Sequence, residues 1–132
     1  MTLVIDIGSM ALDSYEDVKN LYGVGNADRY TSYQNPVGTY YQVPTGKKLV
    51  ITGLCYCGSS IAARCSIGYG DDTKDNDAAA PTNFIDVSGE FTSYIAYKFE
   101  KIEILIEIPA LKYPCMKILG DTVRCRILGV EV

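Results

Sequence analysis

Four isoleucines at every second position, Ile102, Ile104, Ile106 and Ile108, constrain this chain more than any other feature. A helix would scatter them around its surface, whereas an extended strand stacks them on one face. Glu103 and Glu107 take the opposite side, and β-branching adds to the preference for strand. The same period recurs elsewhere. Residues 49–57 put Leu49, Ile51, Gly53, Cys55 and Cys57 on one side. Residues 61–69 put Ile61, Ala63, Cys65, Ile67 and Tyr69 opposite Arg64 and Ser66. Phe91, Ser93, Ile95, Tyr97 and Phe99 form a further face, and Val123, Cys125 and Ile127 oppose Arg124 and Arg126. One apolar and one mixed face is the signature of a half-buried strand.

Turn chemistry separates these runs: Pro44-Thr45-Gly46, Gly58-Ser59-Ser60, Gly70-Asp71-Asp72, Ser88-Gly89, Pro109-Ala110 and Gly120-Asp121. The segment Gly58-Ser59-Ser60 reads as a short hairpin loop. No helix long enough for a crossover divides the strands, so parallel pairing is disfavoured. The expected fold is all-β, an antiparallel two-sheet sandwich. At 132 residues the chain fits one domain spanning 1–132, and no linker splits it. Residues 1–38 read as an N-terminal strand, helix and loop packed on that sandwich. The strand is 2–7. The short helix is 13–22, with Ser14 as N-cap, Glu16 and Asp17 in its first turn and Gly23 as its stop. Residues 23–38 read as an ordered loop.

Composition narrows the function. A formal net charge of -4 lacks the basic footprint of a nucleic-acid binder and disfavours an anionic membrane surface. No apolar run approaches the roughly 20 residues of a membrane span. The start, Met1 to Asp6, has no basic segment, so the expectation is synthesis in the cytoplasm without a signal peptide, with a later place in a virion left open. The five cysteines come with no histidine, and all lie in runs read as strand. Buried reduced thiols are favoured over a metal centre or a disulfide framework. Without histidine there is no Ser-His or Cys-His pair, and Glu103 and Glu107 read as solvent-facing charges. Gly23-Val24-Gly25-Asn26 is not a phosphate loop. The expectation is a protein that is not an enzyme and uses no cofactor.

Two features carry the remaining chemistry. Residues Asp71, Asp72, Asp75, Asn76 and Asp77 could offer oxygens to Ca²⁺, but their spacing is not that of an EF-hand, and a solvated connection is the favoured reading. Eleven tyrosines and no tryptophan is the other feature. Tyrosine buries a large ring and keeps a hydroxyl, which suits an interface as well as it suits the edge of a core. Tyr30, Tyr33, Tyr40 and Tyr41, with the outward-reading Leu54, Tyr56 and Leu105, form the candidate contact set.

The segment Tyr41-Gln42-Val43-Pro44-Thr45-Gly46-Lys47-Lys48-Leu49-Val50-Ile51-Thr52 leads the alternating region. A second proline corner stands at Ile108-Pro109, and Ile127-Leu128-Gly129-Val130-Glu131 closes the chain. On these residues the stretch from Tyr40 to Val132 resembles the jelly-roll modules of phage and virus structural proteins. The resemblance implies a tumour-necrosis-factor-like or capsid-like sandwich, self-associating as a trimer, in contact with other virion proteins or a surface glycan. The competing expectation is a carbohydrate- or small-ligand-binding β-sandwich module.

Overall fold

The computed structural model describes residues 18–35, 38–92 and 100–132. Eight strands run through them: β1 (Val18–Gly25), β2 (Arg29–Ser32), β3 (Leu49–Gly58), β4 (Arg64–Gly70), β5 (Ile85–Thr92), β6 (Glu100–Ile108), β7 (Tyr113–Leu119) and β8 (Val123–Glu131). No helix occurs among the described residues. The strands form two four-stranded sheets, β1-β8-β3-β6 and β2-β7-β4-β5, antiparallel throughout.

The pairing is nested. β4 pairs with β5, β3 with β6, β2 with β7 and β1 with β8, as in one long hairpin closed from its middle outward. Two further ladders, β3 with β8 and β4 with β7, join those pairs into the two sheets. One core fills the space between them. Leu21, Leu49, Ile51, Leu54, Ile106, Ile108 and Ile127 come from the first sheet, and Cys65, Ile67, Met116 and Ile118 from the second. The four isoleucines of β6 behave as their spacing demands. Ile106 and Ile108 are buried, Ile102 and Ile104 pack against the core, and Glu103 and Glu107 are exposed. In β8, Val123, Cys125 and Ile127 are buried and both arginines are exposed.

Several local expectations are corrected. Residues 18–22 are strand, not the end of a helix; the rest of the expected helix, and the expected strand at 2–7, lie outside the described residues. A helix of this length is marginal alone, and here the segment instead pairs residue by residue with β8 from Val18↔Val130 to Gly25↔Val123. Residues 23–38 are not a loop throughout, since they contain the end of β1 and all of β2. These two strands form one edge of each sheet instead of an extension laid on top. A pair of hydrogen bonds between Tyr22 and Gln34, each 2.8 Å, joins those edges.

Gly58-Ser59-Ser60 is not a hairpin loop, because β3 and β4 belong to different sheets and the connection passes from one sheet to the other. Alternation alone cannot tell a strand that turns back from one that crosses over. Ser88-Gly89 is not a turn between strands but a bulge inside β5. Gly89 takes φ +74°, and the Ser88 hydroxyl accepts the Ile67 N–H at 2.7 Å, replacing a ladder bond. The face expected from Phe91 to Phe99 lies mostly at 93–99, outside the described residues.

The most consequential correction is in β3. Its register shifts between Ile51 and Gly53 against both neighbours. Before the shift Leu49 and Ile51 point inward; after it Leu54 and Tyr56 do, at 2 % and 3 % exposure. Leu54 and Tyr56 are therefore core residues and not outward contacts, while Cys55 and Cys57 turn outward and are half-buried. One bulge residue reverses every face that follows it.

Candidate interaction surface

The tyrosines separate into two groups. Tyr33 is wholly buried and its hydroxyl donates to Cys125 Sγ at 3.2 Å. Tyr41 is buried, with its hydroxyl donating to Glu131 Oε2 at 2.6 Å. Burial and that carboxylate push the Tyr41 phenol well above its ordinary value. Tyr56 donates to the Thr92 carbonyl at 2.7 Å and lies beside Phe91. These three serve the core. Tyr30 and Tyr40 are half-buried. Tyr30 meets Phe84 edge-to-face with centroids 5.3 Å apart, and Tyr40 is hydrogen-bonded to Asp75 and Gln34. They fasten the connection between β4 and β5.

That connection is the acidic segment, and its polar groups are turned to its own surroundings. Asp71 accepts from Asn83 at 2.7 Å and pairs with Lys112. These donors hold its carboxyl below the usual range. Asp72 accepts the Thr82 N–H at 2.8 Å, and Asn76 accepts the Asn26 N–H at 2.9 Å. Backbone bonds tie Asp77 to Tyr30 and Lys74 to Ser32. Among the described residues no three His, Cys, Asp or Glu side chains come together as a metal cluster. The segment works as a cover. It reaches the second sheet where Gly68 leaves room, since a Cβ there would lie 2.3 Å from the Ile85 carbonyl oxygen and 2.6 Å from the Phe84 ring. Cys115 is completely buried on this side, and burial pushes its thiol up to about 12.

The first sheet presents a different outer face. Alternation opposite Val123, Cys125 and Ile127 places Arg124, Arg126, Leu128 and Val130 on it. Register then brings in their neighbours. One row runs Tyr22–Arg126–Cys55–Lys101, and the next holds Val24, Arg124 and Cys57. Arg124, Arg126 and Lys101 form none of the salt bridges among the described residues. Towards the other end of the sheet, Val18, Val130, Val50 and Glu107 align in one row, in which Val18 and Val130 are buried, Val50 is half-buried and Glu107 is exposed. Leu105, on the edge strand β6, is 77 % exposed. The face thus carries Arg124, Arg126 and Lys101, the carboxylates Glu103 and Glu107, and the open aliphatic side chain of Leu105, in a chain of net charge -4.

Of the seven residues expected at a contact, only Leu105 stands fully open on this surface. Sequence reading missed Tyr22, Val24, Cys55 and Lys101 as its companions. Alternation puts residues on a face, but only the register of pairing tells which strands lie side by side. Comparison with known proteins returned no matching family model, no matching curated protein and no matching solved structure.

Proposed function

We propose that the chain is a non-enzymatic structural or adhesion protein that assembles with copies of itself through the outer face of its first sheet. The observation that carries this reading is Leu105, 77 % exposed on a sheet face that also carries Arg124, Arg126 and Lys101, none of them in a salt bridge among the described residues. An open leucine and three cations on one sheet face suit a partner of net negative charge, and a second copy of this chain meets that description. A trimer is the favoured assembly.

A jelly roll, and with it a phage or virus component, is the finer reading. Its support is the nested pairing described above. Jelly rolls are eight-stranded, two-sheet folds built from two Greek keys, and a long hairpin wound on itself yields such an order.

Light scattering on the full chain over a range of concentrations tests the assembly. The parent is expected to be oligomeric. Leu105→Lys is expected to shift it towards monomer with an unchanged thermal midpoint, since the side chain contributes little to the core. A parent that stays monomeric at high concentration would overturn the reading. A monomer that also binds immobilised glycans would favour a ligand-binding module instead.

A further inference from the structure

The five cysteines divide by access. Cys65, Cys115 and Cys125 are closed off at 1 % exposure or less, whereas Cys55 and Cys57 are half-buried on the outer face of the first sheet. The two accessible thiols stand among cations. Cys55 pairs in register with Arg126 on one side and Lys101 on the other, and Cys57 pairs with Arg124. Side chains paired in this way on one face carry Cβ atoms about 4.5–5.5 Å apart. All three cations are exposed, and none forms a salt bridge among the described residues. Glu103 shares the face but pairs with Gly53, which puts it diagonal to Cys55 and not beside it. Burial raises the Cys55 thiol, and Lys101 and Arg126 work against that rise.

The strand also keeps the two thiols apart. They leave one face two residues from each other, and at about 3.3 Å of rise per residue their Cβ atoms stand about 6.6 Å apart, against about 3.5–4.5 Å in a disulfide. Ladders to β8 and β6 hold this stretch extended. A Cys55–Cys57 bond would have to break them.

We propose that Cys55 and Cys57 form a modification site for low-molecular-weight disulfides of net negative charge. One of the two thiolates attacks a sulfur of the small disulfide. The small S–S bond breaks, a bond between the protein sulfur and that half forms, and the other half leaves as a thiolate. The proton given up by the cysteine ends on the expelled half. The protein sulfur is oxidised to the disulfide level and the expelled half is reduced to a thiol. Arg124, Arg126 and Lys101 draw in the carboxylates of the reagent and hold those of the attached half. The neighbouring cysteine cannot reach the new bond to displace it, so the adduct persists.

Incubating the full reduced chain with glutathione disulfide or with cystamine, an anionic and a cationic reagent, then alkylating and mapping peptides, tests the site. The adduct is expected on Cys55 or Cys57, with Cys65, Cys115 and Cys125 alkylated only after unfolding. Measured against the same chain unfolded in urea, the folded protein should favour glutathione disulfide over cystamine by about tenfold at low salt, and high salt should shrink the preference. Lys101→Gln combined with Arg126→Gln should remove most of it, and Cys55→Ser combined with Cys57→Ser should abolish labelling of the folded chain. The proposal is overturned if the folded chain takes no label, if a buried cysteine is labelled first, if cystamine reacts as fast on that scale, or if Cys55 and Cys57 link to each other. The reactions are run at a dilution where light scattering shows single chains. A parent that never associates would therefore defeat the assembly reading and leave this one standing.

Discussion

Tyr33 shows how much one side chain decides. Its ring is wholly buried, lies over Gly23, and hands its hydroxyl to a thiol. Tyr33→Phe keeps the ring and is expected to cost only about 1 kcal/mol, while Tyr33→Ala should cost about 3–5 kcal/mol in urea unfolding. Gly120 is a second decisive residue. It holds φ +77°, and a Cβ there would lie 1.9 Å from the Ala62 carbonyl oxygen. Gly120→Ala is expected to cost about 2 kcal/mol or more, read as a fall in the denaturation midpoint.

Titration belongs at this scale too. Cys115 is pushed up from 9.0 to about 12 by burial, so the folded chain holds the proton where the unfolded chain releases it. Its contribution is complete below pH 9 and drains away as pH rises towards 12. The urea midpoint should therefore fall over that interval, and Cys115→Ala should flatten part of the fall. Asp71 has the opposite sign, because Lys112 and Asn83 favour its charged form. Its contribution is present above the usual carboxylate range and is lost as pH falls through it.

At the scale of elements, β3 and β6 carry the argument. Both read as plain alternation, and only β6 keeps its expected faces throughout. In β3 the register shift beside Thr52 exchanges the faces, so Leu54 joins the core and Cys55 leaves it. Leu54→Ala is expected to cost about 2–5 kcal/mol, against under about 0.5 kcal/mol for Leu105→Ala. Equilibrium unfolding of the two variants checks this contrast, and a larger loss at Leu105 would contradict the assigned faces. The bulge was only faintly legible: Gly53 inside an alternating run is a bulge signal, but a glycine also fits a regular strand, and alternation does not say that the faces exchange there. In β5 the local signal misleads: Ser88-Gly89 reads as a turn between strands, because a glycine at positive φ serves a turn as well as the bulge that the strand contains. The strand β1 was misread as helix because its caps are local, whereas the ladder that overrides them lies about a hundred residues away on β8.

Across the whole molecule the nesting has a kinetic consequence. Only the β4–β5 pair is close in sequence, and the β1–β8 ladder joins the two ends of the described chain. Each outer pair must close a longer loop than the one inside it, so folding is expected in the millisecond-to-second range. Stopped-flow fluorescence of the tyrosines would measure it, and microsecond folding would argue against this order of closure. β8 also sits between β1 and β3, which makes it the strand on which the first sheet depends.

Amino-acid order alone determined that the chain is β-rich, that Ile102 to Ile108 face inward on alternate positions, that Arg124 and Arg126 face out, and that the turns are rich in glycine and acids. Those properties follow from side-chain periodicity and local backbone preference, which act over a few residues. Tertiary structure alone decided that Leu54 and Tyr56 are interior, that Cys65 and Cys125 of opposite sheets share one core cluster, and that Lys101 and Arg126 share a row. Each of these rests on register and on contact between strands distant in sequence, where hydrogen bonding and burial outweigh any local signal.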